Sequence, residues 1–450
     1  MSTPSMSTVP GRSSPFMYDV IAEMRKKGFL GFFTDVWKQS GDISRVQIGK
    51  RILYLAVHPE HVRYISITNR QNYDKLHSYE NVRQLLLGNG LVASRGDLWR
   101  RQRRLMAPFF TPRNVEAYYP VIVGDAQALI ERWDKLAGSG KPVEMGDEMM
   151  RVTAAIILRS MFTSESDEGL LEMKSAVETM IRFTTRYEMT PIRLPLWVPI
   201  RKNLRYRAAR RRVHSFIDRI IAGRRSMPAE QWPGDLLSRM MSARDEETGL
   251  AMPENQLRDE SITIFFAGHE TTARTLTFMW HALAQNPQVS DRLHAEIDTV
   301  LAGRTPTIED LERLPYTLQV IKETLRLYPP APVYVRDAMD EDVIDGVVIP
   351  KGSRVMLSPF LTHRHPDFWE DPERFDPDRF LPEYEKERHP YAWHPFAAGQ
   401  RICLGNHFAL FEAQLLAAML ASRYAPRAVP GHELKLDMAG TLLSRTGVPM

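Results

Sequence analysis

The 450-residue sequence predicts a mainly α-helical fold with small β-sheet regions. Apolar residues recur at helical spacing in most segments up to the 320s, and the longest such run covers residues 254–285. Short runs rich in β-branched residues occur only near residues 43–57 and 333–357. Apolar residues make up 43% of the chain and charged residues 25%, which is ordinary globular composition with ample material for a core.

The overall composition excludes several classes of protein. The single cysteine, Cys403, excludes an internal disulfide framework and suits a reducing cytosol. A net charge of +4 is too mild to imply nucleic acid by itself. Residues 1–15, rich in Ser, Thr, Pro and Gly, predict a disordered leader, and residues 16–450 predict a single domain with no fused reductase. Neither a signal-peptide core nor a membrane-length apolar run is present, so we expect a soluble, cytoplasmic protein without a transmembrane anchor.

The N-terminal part combines helices with one strand pair. Residues 17–40 predict a helix, and Ile43–Ile48 and Ile52–Val57 predict two strands of a hairpin joined by a Gly-Lys pair. A further helix is predicted from about residue 59 to 69. Residues 72–98 contain three glycines and no strong periodicity, which predicts a long loop. Long loops inside compact domains commonly line a ligand site.

A basic helix follows this loop, and Trp99–Ala107 reads Trp-Arg-Arg-Gln-Arg-Arg-Leu-Met-Ala. Trp99 and Arg103 are four residues apart and share one helical face. The residues alone favour a solvated basic face with one packed tryptophan. The alternative is an anion clamp, in which the indole N–H and the guanidinium both bind carboxylates.

The middle of the chain predicts further helices at 113–137, 147–162, 168–186 and 204–223. The arginine run within Arg201–Arg212 could indicate nucleic-acid or calmodulin-type recognition. An amphipathic helix with a solvated basic face is the better interpretation, because apolar residues recur through this segment at helical spacing. These residues are Leu204, Ala208, Val213, Phe216, Ile217 and Ile220.

Residues 254–285 predict the longest helix, and about thirty residues of helix would span some 45 Å and cross the core. Its middle contains residues that are unfavourable inside a buried helix. Gly268 costs about 1 kcal/mol relative to alanine in a helix, and Glu270 would be costly to bury unpaired. Thr271 can bond back to a carbonyl and open the helix locally. Local rules broken together at one place indicate a functional site.

The next segment predicts one helix and then strands. Glu323 and Arg326 lie three residues apart on a helix that ends at two prolines, and the residues alone predict a surface ion pair of little value. Strand signals follow at Val333–Val335. A strand pair is predicted from Asp342–Ile349 and Ser353–Leu357, joined by Pro-Lys-Gly.

The stretch Phe396–Glu412 places Cys403 in a loop just before a helix. Gly399 and Gly405 flank the cysteine, and helix-forming residues follow. A helix N-terminus lowers the pKa of a thiol, so the loop is suited to presenting a thiolate. A lone cysteine is more often a small buried hydrophobe. The loop alone leaves both interpretations open.

Together and in this order, these features resemble the cytochrome P450 superfamily of haem-thiolate monooxygenases, in its soluble bacterial form. The resemblance implies the cytochrome P450 fold, with a long central helix that crosses over the haem. Ala397 departs from the family pattern, which often has glycine or serine there. The matching residues are Trp99 and Arg103; Ala267, Gly268, Glu270 and Thr271; Glu323 and Arg326; Pro372–Phe375; and Phe396, Gly399, Arg401, Cys403 and Gly405.

The resemblance also implies a role for each matching residue. Cys403 would be the axial iron ligand, and Glu270 and Thr271 would be the catalytic pair that delivers protons to dioxygen. Glu323, Arg326 and Arg374 would form a buried structural network. The residues expected to bind the haem propionates are Trp99, Arg103, Arg336 and Arg401, with Tyr73 or Lys75 as a further candidate. Phe396, Gly405 and Ala267 would complete the haem site.

The implied reaction inserts one oxygen atom of O2 into a lipophilic small molecule, by hydroxylation or epoxidation. The implied cofactor is haem b, with electrons that come ultimately from NAD(P)H through a separate ferredoxin or flavodoxin. A fatty acid, terpene, steroid or polyketide would fit as substrate. The candidate substrate pocket lies between the 72–98 loop, residues 180–200, Ala331–Val333 and the turn near Thr441-Leu442, and the residues singled out in it are Phe265, Phe266, Val333 and Leu442.

Two alternatives stay open beside this reaction: a peroxide-dependent peroxygenase or isomerase, and a haem-binding protein without turnover. The Glu270–Thr271 pair favours dioxygen activation over both. The basic residues Arg100, Arg101 and Arg104 are hypothesised to dock the acidic electron donor.

Overall fold

The computed structural model describes residues 10–14, 17–48, 51–163, 167–190 and 193–450. Helices dominate this part of the chain. The helices within it are α1 (Met17–Ser40), α2 (Pro59–Arg63), α3 (Glu80–Val82), α4 (Gly96–Met106), α5 (Pro112–Glu116), α6 (Tyr119–Ala137), α7 (Met145–Phe162), α8 (Asp167–Met189), α9 (Arg201–Arg225), α10 (Leu236–Ser242), α11 (Glu254–Gln285), α12 (Pro287–Leu301), α13 (Pro315–Leu327), α14 (Pro359–Thr362), α15 (Pro382–Glu387) and α16 (Asn406–Ala421). The mainly α fold with small sheets is confirmed.

The strands form one larger sheet and two hairpins in the described residues. The sheet has the order β1-β2-β3-β8-β5-β4, and the hairpins are β6–β7 and β9–β10. The strands are β1 (Gly11–Ser14), β2 (Ile43–Ile48), β3 (Arg51–Ala56), β4 (Tyr73–Asp74), β5 (Tyr334–Ala338), β6 (Asp342–Ile344), β7 (Val347–Ile349), β8 (Arg354–Leu357), β9 (Leu436–Ala439) and β10 (Thr441–Ser444).

The predicted hairpin between β2 and β3 is confirmed, with Ile48 opposite Arg51 in an antiparallel register. Its Gly-Lys turn lies outside the described residues. The prediction of a disordered leader through residue 15 is wrong for its last part. β1 pairs parallel with β2, and the Arg45 backbone N–H donates to the Pro10 carbonyl at 3.0 Å. Most of the predicted leader, residues 1–9 and 15, lies outside the described residues.

The predicted pairing of Asp342–Ile349 with Ser353–Leu357 is wrong. The first of these segments folds on itself as the β6–β7 hairpin, because Asp345 and Gly346 take positive φ angles of 48° and 77° and form its two-residue turn. β8 instead pairs with β5 on one side and runs parallel to β3 on the other.

The long helix α11 has the predicted bounds and runs through the core, with buried side chains along its whole length. It packs most extensively against α7. The packing is close because a Cβ atom on Gly268 would lie only 2.9 Å from the side chain of Ile157. Thr153 of α7 donates a hydrogen bond to the His269 carbonyl at 2.8 Å, which fixes the two helices at this point.

Some elements differ from the sequence prediction. The predicted loop 72–98 contains β4, α3 and the start of α4, and α10 and α12 were not predicted. In the part of the chain that the structure describes, no helix is long and apolar enough to cross a membrane.

Candidate active site

One cavity brings together the middle of α11, the start of α4 and the segment that ends in α16. Most of the predicted site residues lie on its wall, although they come from distant parts of the sequence. The predicted residues that line it are Trp99, Arg103, Ala267, Thr271, Phe396, Arg401, Cys403 and Gly405. The folding of the chain therefore assembles one site from three motifs.

Cys403 lies in the loop before α16, and its side chain is accessible from the cavity. Its backbone N–H donates to the Phe396 carbonyl at 2.8 Å, which closes the loop. Burial by the surrounding protein raises the pKa of the thiol, while the Gly405 N–H and the Arg103 charge act in the opposite direction. For the protein without a bound metal, the expected lowering of this pKa is therefore wrong. Desolvation raises the pKa of the thiol by more than the helix N-terminus at Asn406 lowers it. A metal bound to the sulfur would reverse the balance, since a coordinating thiol is deprotonated.

The backbone of this loop includes two residues with positive φ. Gly399 has a φ of 68°, and a Cβ atom there would lie 2.1 Å from the Ser66 carbonyl oxygen. Ala397, the departure from the family pattern, has a φ of 60°, a conformation that favours glycine. The loop is therefore held in a strained conformation and packed tightly onto the segment around Ser66.

Lys75, Arg336 and Arg401 lie together as a cluster of cations at one side of the cavity, while Arg103 lines the cavity beside Cys403. Asp74 forms an ion pair with Arg401. Burial lowers the pKa of Lys75, and repulsion from Arg336 and Arg401 lowers it further. Burial also lowers the pKa of Arg401 to about 10. Three cations close to a single carboxylate leave an excess of positive charge that additional anionic groups would stabilise.

A haem fits this donor set. Its two propionates would supply the missing anionic charge, and the Trp99 indole lies beside the cluster, with the Arg401 guanidinium 3.8 Å from the ring centroid. Lys75 lines the cavity and Arg336 lies just behind the wall. Tyr73, by contrast, donates its hydroxyl to Asp342 at 2.7 Å and does not line the cavity.

The predicted catalytic pair on α11 is divided between two environments. Thr271 lines the cavity and donates its hydroxyl to the Ala267 carbonyl at 2.7 Å, as expected, while the helix continues without a break. Glu270 is buried and faces the β9–β10 hairpin. Its Oε1 accepts a hydrogen bond of 2.7 Å from Thr441 and lies 3.4 Å from Arg274, while its Oε2 has no partner.

None of the four predicted substrate-pocket residues lines the cavity. Phe265 is fully buried and stacks on His269, with ring centroids 4.6 Å apart. Leu442 is buried in the cluster around α1, Val333 packs against that same cluster, and Phe266 packs against the main core.

The apolar wall of the cavity includes Leu91 and Val92 of the predicted 72–98 loop and Ala331, while its other members were missed, and helical spacing could have found some of these. Counting back from Thr271 by turns of the helix reaches Ala267, Ile264 and Glu260, which all line the cavity. The rest comes from the end of α4 and the turn after it, from α7 and from α13. Examples are Met106, Phe110, Ile157 and Leu325.

Glu323 and Arg326 are fully buried, contrary to the surface pair that the residues alone predict. Arg326 donates to both carboxylate oxygens of Glu323, at 2.6 and 2.8 Å. The prediction that the Arg374 side chain joins this buried network is wrong. The side chain is 68% exposed, and only the Arg374 backbone carbonyl accepts from Arg326. The second guanidinium that faces Glu323 belongs to Arg379, at 3.7 Å.

The basic residues proposed to dock an electron donor are largely paired inside the protein. Arg104 forms ion pairs with Asp245 at 3.0 Å and with Glu247 at 2.7 Å. Arg101 donates to the Ala251 carbonyl at 3.2 Å, and Arg100 pairs with the neighbouring Asp97. These contacts weaken the case for this cluster as a docking surface.

Comparison with known proteins gives consistent similarities over nearly the whole chain. Residues 10–447 match the family model described as Cytochrome P450. Cyclooctat-9-en-7-ol 5-monooxygenase of Streptomyces melanosporofaciens is 36% identical over 428 residues, which cover 95% of this chain and 91% of that protein. Pentalenene oxygenase of Streptomyces avermitilis is 32% identical over 396 residues, covering 88% and 86% respectively. The crystal structure of the cytochrome P450DA heme domain superposes with a TM-score of 0.90 at 29% identity, covering 98% of this chain and 96% of that one.

Proposed function

This chain belongs to the cytochrome P450 family and is a monooxygenase of lipophilic small molecules, and on that basis we propose that it oxygenates a cyclic terpenoid. The observation that supports this most directly is the shared cavity, in which Cys403 and the middle of α11 line one largely aliphatic wall. A rigid hydrocarbon skeleton suits such a lining, because the cavity offers few fixed charges beyond the cation cluster. Both relatives named above act, by name, on compounds of the terpenoid class.

The residues present define how the haem would be held. Cys403 would provide the sulfur ligand, and Trp99 with the cations at 75, 103, 336 and 401 would bind the two propionates. With a thiolate ligand the haem supplies dioxygen activation and the cleavage of its O–O bond. The cation cluster would orient the group, since carboxylates bound by these cations would relieve the repulsion described above.

Thr271 and Glu270 would manage protons on the α11 side of the cavity. The Thr271 hydroxyl donates to a backbone carbonyl, so its oxygen remains an acceptor at the cavity wall. Glu270 adjoins Thr271 in the chain, and its unpartnered Oε2 can hold a proton and pass it on through a side-chain rotation or a water molecule. We propose that the electrons come from a separate ferredoxin or flavodoxin that NAD(P)H reduces.

Turnover with a surrogate electron-transfer chain tests this function. Purified protein is supplied with NADPH, a ferredoxin and its reductase, together with a cyclic diterpene alcohol, a sesquiterpene hydrocarbon or a long-chain fatty acid. With a terpenoid we expect a change in the spin state of the haem iron. We also expect a product that contains one oxygen atom from isotopically labelled dioxygen.

Oxygenation of the fatty acid alone would contradict the proposed substrate class. Product formation with peroxide but not with the electron-transfer chain would identify a peroxygenase instead. Both outcomes are read from the same product analysis by mass spectrometry.

Replacing Thr441 with valine is expected to lower kcat about tenfold to a hundredfold and to increase the share of electrons lost to peroxide. Thr441 donates the shorter of the two contacts to Glu270 Oε1, and valine keeps the shape while removing the donor. Coupling of NADPH use to product, and the kinetic solvent isotope effect, measure the change.

The conservative change Thr441→Ser keeps the hydroxyl and should restore coupling. In a Glu270→Gln background, Thr441→Val should add little, since both changes act on one carboxylate. Additive losses in the double variant, or a change confined to KM, would show that Thr441 has no part in positioning Glu270.

A further inference from the structure

The wall of the active-site cavity contains a carboxyl group to which the proposed reaction assigns no role. Glu260 of α11 lines the cavity and is fully buried, and no other aspartate or glutamate lines it among the residues that the structure describes. Burial of a carboxyl group in an apolar wall is unfavourable unless its hydrogen bonds are satisfied. A buried acid beside a largely aliphatic cavity therefore requires an explanation.

Attachment of the neighbouring loop explains only part of this arrangement. Glu260 Oε2 accepts from the Leu91 N–H at 2.9 Å, which fixes the loop before α4 onto α11. The same loop is also held at Asn89, whose N–H donates to Asp259 at 2.7 Å and whose carbonyl accepts from Gln256 at 3.0 Å. Because these two contacts attach the loop as well, the loop by itself does not require an acid at position 260.

The Glu260 carboxyl is largely protonated at neutral pH. Burial raises its pKa to about 8, although the Leu91 N–H and the Gln256 amide act in the opposite direction. In the described part of the chain Glu260 forms no ion pair, and both of its hydrogen bonds bring a donor to the carboxyl. A protonated carboxyl also has an O–H to donate, and neither of these two bonds supplies an acceptor for it.

Thr263, one turn further along α11, also lines the cavity, and its hydroxyl has no hydrogen-bond partner among the described residues. Other threonines of this helix behave differently. Thr271, Thr275 and Thr277 each donate to the carbonyl four residues earlier, at 2.7 to 3.0 Å. Thr263 Oγ1 instead packs against Gly90, where a Cβ atom would overlap it. A rotation of this side chain therefore breaks no hydrogen bond.

We propose that the substrate already carries a hydroxyl group, and that Glu260 and Thr263 bind this hydroxyl at the wall of the cavity. The substrate oxygen would accept from the Glu260 carboxyl and donate to Thr263 Oγ1, so that each unsatisfied group gains one partner. An ammonium group would instead require the ionised carboxylate, which burial disfavours. The inference rests on the proposed function, because it specifies which cyclic terpenoids the same cavity binds.

The spacing along α11 also indicates where the new oxygen enters. Thr263 and Glu260 precede Thr271, the residue proposed to deliver protons, by eight and eleven residues. At about 1.5 Å per residue these separations are about 12 and 16 Å along the helix. A molecule held by its hydroxyl at this wall therefore presents a carbon at the far end of its skeleton for oxygenation. The product would be a diol with widely separated hydroxyls, and an earlier reaction must introduce the first oxygen.

Binding titrations of the holoenzyme with two matched pairs of compounds test the inference. Each pair consists of a cyclic terpene alcohol and its deoxy hydrocarbon. The alcohols are drimenol, which has a bicyclic skeleton, and dehydroabietol, which has a tricyclic skeleton. The spin-state change of the haem iron gives the dissociation constant. In each pair that binds, we expect the alcohol to bind about tenfold to a hundredfold more tightly than the hydrocarbon.

Two variants remove the groups that would bind the hydroxyl. Thr263→Val keeps the shape of the side chain, Glu260→Leu removes the acid, and each should bind the alcohol about tenfold more weakly than the parent protein. Ser261→Ala is the matched control, because it removes another buried hydroxyl without a partner from the same turn, outside the cavity wall, and should bind like the parent. The thermal midpoint establishes that each variant is folded. Thr263→Val decides the matter if Glu260→Leu loosens the attached loop.

Equal binding of alcohol and hydrocarbon in every pair that binds would overturn the inference and leave the proposed function intact. An unchanged preference for the alcohol in Thr263→Val, or an equal loss of that preference in Ser261→Ala, would also overturn it. A vicinal diol as product, detected by periodate cleavage, would contradict the position given to the bound hydroxyl. Absence of both binding and turnover with all four compounds would instead contradict the proposed function.

Discussion

Replacing Arg326 with leucine is expected to lower the free energy of unfolding by about 3–5 kcal/mol, enough to leave much of the protein unfolded at growth temperature. The change strands the Glu323 carboxylate, whose burial already raises its pKa despite the neighbouring Arg326. It also removes the donor from three backbone carbonyls in the segment after α14. These are the carbonyls of His363, Pro372 and Arg374, at 2.7 to 2.9 Å.

The sharpest control for this prediction is Arg374→Leu. The sequence motif points to Arg374 as a partner of Glu323, but its side chain is largely exposed and lies 3.6 Å from Asp376, while its backbone carbonyl, which leucine retains, accepts from Arg326. We expect a change of less than about 0.5 kcal/mol for this variant. Urea unfolding followed by circular dichroism measures both. Comparable losses in the two variants would contradict the observed arrangement of the network.

Gly399→Ala is expected to be the most damaging small substitution in the cysteine loop, at about 3 kcal/mol of stability. The added Cβ would require a φ of 68° and would lie 2.1 Å from the Ser66 carbonyl oxygen, which is backbone and cannot rotate away. The loop must therefore shift, and Cys403 is only four residues away. We expect a smaller fraction of protein with a thiolate-ligated ferrous–CO spectrum.

Gly405→Ala provides the matched comparison in the same loop. Gly405 has a φ of −91°, and nothing lies within 4 Å of a Cβ atom built there. This variant should lose less than about 1 kcal/mol of stability. If Gly399→Ala unfolds at the same urea concentration as Gly405→Ala, the Ser66 contact does not restrict the loop.

Local patterns in the sequence predicted the elements that depend on local chemistry. Apolar spacing predicted the bounds of α11, and the glycines and apolar residues around Cys403 predicted a loop followed by a helix. The β6–β7 turn was also visible, because Asp345-Gly346 is a strong hairpin signal that the longer strand prediction passed over. The sequence therefore contained enough information to predict this hairpin.

Other features depend on contacts between distant segments and could not be predicted from local pattern. The pairing of β8 with β3 joins residues about 300 positions apart. Whether Arg379 or Arg374 faces Glu323 depends on how the chain turns after α14, because the two arginines are close together in the sequence. The pKa of Cys403 is raised because the tertiary fold buries the thiol. The spacing of residues in the sequence does not reveal that burial.

The hydrogen bond between Thr441 and Glu270 has a consequence for reading gene sequences. All five family motifs lie before residue 413, whereas the residue that holds the α11 carboxylate follows them in β10. A premature stop codon after Gly440 would leave every motif in the translated sequence and would still remove Thr441, the partner of Glu270. Inspection of motifs alone would classify such an allele as intact, although its product would lack a contact at the centre of the enzyme.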